Sequence, residues 1–207
     1  MSYDENDAAL EDFYDRMNEE FYPEHKQQAI QEFTTERLKS FYVEHPEVMV
    51  PAVLAYREAK KLRESERYAA TVIFSMTAIE VFLKATLLKP VVYGLVHHEL
   101  LATVIVEHTF GQTGFSRYKK LLSSLFSSFA GIDLNMVKRD GAKSFLLEEV
   151  LSLQELRNKI IHQGLQVGET EATHALNISQ EVYKAIVIPM LQAMDLQILP
   201  KGVIEVL

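Results

Sequence analysis

Residues 157–162 read Arg-Asn-Lys-Ile-Ile-His, a run holding the residue types that phosphate chemistry needs. A guanidinium is a fixed positive fork matched to phosphate oxygens. An imidazole titrates near neutrality and can take or give a proton at physiological pH. Together, with no metal-ligand set, they suffice for attack of a ribose 2′-hydroxyl on its own phosphate. The bare spacing is weak: eight arginines and seven histidines give about 0.3 such pairs by chance. Requiring asparagine directly after the arginine lowers this to about one in a hundred. Gly164, two residues beyond the histidine, suits the left-handed turn that ends a helix.

On a helix, Asn158 and His162 are four apart and share a face, with Arg157 about 100° round from the asparagine. Ile160 and Ile161 are expected to point to the core and pin the segment. His162 falls in the last turn, where the negative end of the helix dipole favours the imidazolium. A purely structural alternative exists, in which Arg157 pairs with a nearby acid and His162 caps the final carbonyls.

The elements that must position this run are helices. An imperfect apolar stripe predicts a helix over 24–44, ended at His45-Pro46 because the residue before proline avoids helical geometry. A second helix is expected over 47–63, with Pro51 in its first turn, and Ser65 offers a cap or mild break. The stretch 68–89 is apolar nearly all round and predicts the central helix, stopped by Lys89-Pro90. Further helices are expected over 97–107, 116–129, 144–163 and 169–194, the last kinked at Pro189. Gly111–Gly114 reads as a turn and 131–141 as a polar loop. The tail from Gly202 either pairs as a short edge strand or simply packs. Strand alternation is missing elsewhere, so the fold class is all-α, a helical bundle with short connections.

Glu80 is the only acid between Arg67 and Glu99, on a helix otherwise built for burial. A buried carboxylate needs a cationic partner or stays protonated. Two partners are open to it: Lys84 one turn on, or Arg157. His97, His98 and His108 do not share one helix face and have no acidic cluster around them, so no metal site is expected. No Gly-rich phosphate loop and no Gly-x-Ser-x-Gly elbow is present.

The charge distribution limits the partners. The net charge of the chain is −8, yet residues 1–50 hold 13 acidic and 4 basic side chains. The other 157 residues are close to neutral, with 16 acidic and 17 basic. The first twenty or so residues are polar and expected to be loosely held. The acidic arm reads either as solvated or as a competitor for a site that takes phosphate. No broad basic face that would grip a long duplex is visible, so any nucleic acid must be met by a small local site. There is no cysteine, which excludes disulfides, thiolate zinc sites and cysteine nucleophiles and fits a cytoplasmic setting. The acidic start is unlike a signal peptide, and Glu80 and Lys84 interrupt the longest apolar stretch, so no membrane segment is expected.

Arg157-Asn158 with His162, on the penultimate long helix of a small bundle, resembles the R-x4-6-H motif of HEPN domains. Ala78-Ile-Glu-Val-Phe-Leu-Lys84 is similar to the early helix of that family with its acidic position. The resemblance covers roughly residues 50–195, a bundle with extra N-terminal helices; 1–49 would be an acidic extension with one helix, and 196–207 a tail. It implies an up-and-down bundle and a homodimer with two motifs facing across a cleft. In active members it implies metal-independent RNA cleavage without a cofactor. Many relatives are toxins with antitoxin partners or act in antiviral defence; others are non-catalytic modules binding RNA, a nucleotide or a protein. On this reading His162 handles protons, Arg157 holds the scissile phosphate, Asn158 orients His162 or substrate, and Glu80 supports Arg157.

Overall fold

A computed structural model describes residues 35–84, 88–95, 123, 127 and 130–207. The expected helices at 97–107 and 116–129, the turn at Gly111–Gly114 and histidines 97, 98 and 108 lie outside the described residues, apart from helical positions 123 and 127. The protein is mostly helical, and its only sheet among the described residues has two strands.

Residues 35–44 are helical (α1) and end before Pro46. Helix α2 spans Val50–Glu64 with Pro51 in its first turn, where no intrahelical N–H is needed. Its end is closed by Glu66 in the left-handed region (φ 57°). There Glu66 N–H donates to Arg63 O at 3.1 Å, and Arg67 N–H to Leu62 O at 2.8 Å.

Helix α3, Tyr68–Leu83, is central: it packs on α2 and on both long helices of the C-terminal half. Its all-round apolar sequence requires this, because a helix without a polar face is stable only when surrounded. Ala52 and Ala59 of α2 are fully buried small residues on the side that packs there. The expected stop at Lys89-Pro90 is corrected. Lys84 and Leu88 adopt π-type geometry, and helix α4, Lys89–Leu95, begins at the predicted break with Pro90 as its second residue. Proline ends a helix from its interior but is accepted in a first turn. The rings of Phe41 and Tyr93 stack at 5.6 Å, tying α4 to α1.

Helix α5, Leu146–Gln163, carries the motif. Glu148 accepts the Phe145 N–H at 3.2 Å at its start, as an acid in a first turn does. Helix α6, Glu169–Val182, follows and is opened by a hydrogen bond from Gly168 N–H to the Glu171 carboxylate at 3.0 Å. The expected kink takes the form of a π-helical turn over Tyr183–Val187, then helix α7 over Ile188–Gln192. Pro189 cannot donate to the carbonyl four residues back and its ring crowds it, so the preceding turn widens.

The tail pairs as one of its two expected alternatives. Strands β1, Leu196–Ile198, and β2, Ile204–Val206, are antiparallel with Gln197 opposite Glu205. Ile204 N–H donates to Pro46 O at 2.8 Å, which fixes the hairpin to the α1–α2 junction. Gly202 (φ 89°) approaches α2 so closely that an added Cβ would lie 2.8 Å from Val53 Cγ2, so only glycine fits. Leu38 and Tyr42 of α1 and Leu196 and Ile204 of the hairpin share one core with the other helices. The Tyr42 hydroxyl is pushed far above its ordinary range by complete burial. No described helix is long and apolar enough to cross a membrane.

Candidate functional site

The motif helix buries Leu146, Leu147, Glu149, Val150, Leu153 and Ile160. At 100° per residue these cover about 160° of arc, and position 157 falls in the middle of it. An arginine therefore occupies a core-facing position of α5. It is only half-buried, because a long side chain can carry its head away from the apolar layer. Its Nη1 donates to Asn158 Oδ1 at 3.1 Å. Its Nε is buried and has no hydrogen-bond partner. Burying a donor without an acceptor costs about 1–3 kcal/mol, and no described carboxylate pairs with this guanidinium.

His162 lies about 140° round from Arg157 on an ideal helix and is exposed. It makes no hydrogen bond or ion pair among the described residues. Gly164 closes the helix in the left-handed conformation (φ 65°), its N–H donating to Ile160 O at 3.2 Å, so the backbone closes this end without the imidazole. Asn158 projects between the two. The Arg157–Asn158 bond thus draws the guanidinium round the helix toward the histidine side. The asparagine holds the arginine, whereas the sequence expectation had it orient His162 or substrate.

Two expectations about the surroundings are corrected. Ile160 is buried, but Ile161 is 46% exposed. Position 161 falls on the buried arc of α5, between Val150 and Leu147, but it sits in the last turn, where residues 161–166 are all exposed. Glu80 is half-buried on α3, and no ion pair or hydrogen bond joins it to Arg157 among the described residues. The structure brings Arg157 and Asn158 together, leaves His162 free on the same helix end, and keeps Glu80 out of contact with the guanidinium.

Two ion pairs, neither read from the sequence, tie down the start of the motif helix and the start of α6. Arg139, in the 131–141 loop, grips Glu149 of α5 with two bonds, Nε to Oε2 at 2.7 Å and Nη2 to Oε1 at 2.6 Å. The carboxylate is nearly buried, and its hydrogen bonds hold the Arg139 guanidinium above its ordinary value, with a smaller contribution from Glu181. Glu149 interrupts an apolar stripe just as Glu80 does, and that signal could have found it. Arg63, at the end of α2, pairs with Glu169 and donates from Nε to Thr173 Oγ1 at 2.9 Å. That contact fixes the start of α6, immediately after the exposed connection from the motif helix.

Among the described residues no three histidine, aspartate or glutamate side chains group as a metal site. The chain matches no known protein-family model, and no curated protein or solved structure is significantly similar to it.

Proposed function

We propose that the protein is a metal-independent endoribonuclease of HEPN type, with Arg157, Asn158 and His162 as its site. The observation that carries this reading is the state of Arg157. It is a guanidinium on a core-facing side of the helix whose Nε–H lacks an acceptor, five residues before a histidine open to solvent. A structural arginine would be paired with a carboxylate, and a structural histidine would cap the helix end. Neither holds among the described residues.

In the proposed reaction the 2′-oxygen attacks the adjacent phosphorus and the bond to the 5′-oxygen breaks. The products are a 2′,3′-cyclic phosphate and a 5′-hydroxyl. Arg157 neutralises the developing charge on the phosphoryl oxygens, and His162 moves the proton. One chain supplies a single proton carrier, so a homodimer that brings two motif helices together would supply an acid and a base in one cleft. The resemblance extends the proposal to a toxin or defence effector in the cytoplasm, held in check by an antitoxin or defence partner.

A second reading is a non-catalytic module that binds RNA, a nucleotide or a protein through the same residues. The outward His162 and inward Arg157 favour it if no second copy completes the site. Incubation with RNA in excess chelator separates the two. Cleavage that survives chelation and is lost in His162→Ala supports the enzyme; binding without cleavage supports the module.

A further inference from the structure

The outer side of α2 forms an open groove of about 760 Å³ with α3, away from the motif residues already assigned. Its floor is apolar: Leu54 is 56% exposed and Phe74 38% exposed, with Ala55 between them. Its rim is basic, carrying Arg57, Lys60 and Lys61. The one acid on the rim, Glu58, lies 3.8 Å from Lys61, and Arg57 donates to the Pro200 carbonyl. The groove therefore keeps a net positive rim around two large exposed apolar side chains. That chemistry fits an amphipathic helix whose polar side is acidic.

The chain itself contains a segment of that description. Leu10, Phe13, Tyr14, Met17 and Phe21 recur at spacings of three and four, with Glu11, Asp12, Asp15, Glu19 and Glu20 between them. In helical geometry the five apolar positions would fall within about 100° of arc, with Glu11 and Glu20 on its two edges and Asp12, Asp15 and Glu19 on the opposite side. Residues 1–34 hold ten acidic and two basic side chains, opposite in sign to the rim. Reach is no obstacle. The thirteen residues from 22 to 34 can span about 43 Å, against a radius of gyration near 17 Å expected for a compact chain of this length.

We infer that the α2–α3 groove is the seat of residues 10–21 of the same chain, with Leu54 and Phe74 receiving the apolar stripe and the basic rim at Lys60 and Lys61 receiving its edge acids, Glu11 and Glu20. This gives the acidic arm an internal address, whatever the motif does.

Because the chain has no cysteine, introduced cysteine pairs in the full chain report on this without background. Leu54→Cys would be combined in turn with Phe13→Cys, Met17→Cys and Phe21→Cys on the stripe. Asp15→Cys and Arg16→Cys, off the stripe, serve as controls. Leu54 is exposed, so the substitution leaves folding intact, which circular dichroism checks. Under mild oxidation at least one stripe pair should close an intramolecular disulfide ten or more times faster than either control pair. Lys60→Glu with Lys61→Glu should abolish that preference. Equal rates for stripe and control pairs would overturn the inference, because a tether without a seat shows no face preference. A covalent dimer in place of the intramolecular bond would overturn it too, in favour of a second copy as the occupant.

Discussion

Arg157 donates from Nη1 to its neighbour Asn158 at 3.1 Å, while its Nε–H is buried without an acceptor. The asparagine aims the guanidinium without neutralising it, and the charge stays available to an anion. Asn158→Asp would replace that neutral acceptor with a carboxylate and satisfy the arginine internally. The expected result is RNA affinity lowered by about tenfold or more, equal to about 1.4 kcal/mol, with the melting temperature unchanged or raised. Binding titrations beside thermal melts test this. Undiminished affinity would mean that the guanidinium does not meet the phosphate.

Glu80 and Arg157 make different predictions because no bond joins them. Glu80→Gln should leave the cleavage rate within about twofold of the parent, since it alters a half-buried helix position and not the guanidinium. Arg157→Lys should lose nearly all activity, because an ammonium cannot present the same planar fork. Rates measured on the two variants side by side decide. Loss in both would restore Glu80 to the site.

The Arg139–Glu149 pair anchors the loop that precedes the motif helix. Arg139→Met leaves a nearly buried carboxylate without its cation and should cost about 3 kcal/mol in denaturant unfolding. The double variant Arg139→Met with Glu149→Leu should recover most of that loss, since an apolar pair needs no desolvation of charge. A double variant no more stable than the single one would show that the pair contributes more than mutual neutralisation.

Much of this arrangement is legible along the chain, and the illegible parts share a cause. Gly164 announces the end of the motif helix because a left-handed cap needs a residue without a Cβ. The apolar sequence of α3 announces a central helix. Pro90 misleads because a proline that stops one helix also suits the first turn of the next. Ile161 misleads because its side of the helix is the buried one, while the packing that covers that side stops short of the last turn. Arg139 to Glu149 and Arg63 to Glu169 are invisible in sequence, since each joins elements brought together only by packing. The side that Arg157 faces follows from the stripe of Leu146, Val150, Leu153 and Ile160. Its lack of a carboxylate partner follows from the fold alone.

The acidic first quarter should oppose RNA electrostatically. Removing residues 1–22 is expected to tighten RNA binding at low ionic strength and to change it little at high salt, where charges beyond about 10 Å are screened. Equal affinities for the shortened and full-length chains throughout a salt titration would leave the arm without that role.

If Arg157 and His162 drive 2′-hydroxyl attack, a single substituted substrate reveals it. An RNA cut at one position is compared with the same strand carrying one 2′-deoxynucleotide on the 5′ side of that position, both in excess chelator. The expected result is cleavage of the all-ribose strand to a 2′,3′-cyclic phosphate, no cleavage at the deoxy position, and neither reaction in His162→Ala. Cleavage at the deoxy position, or a rate unchanged in His162→Ala, would contradict it.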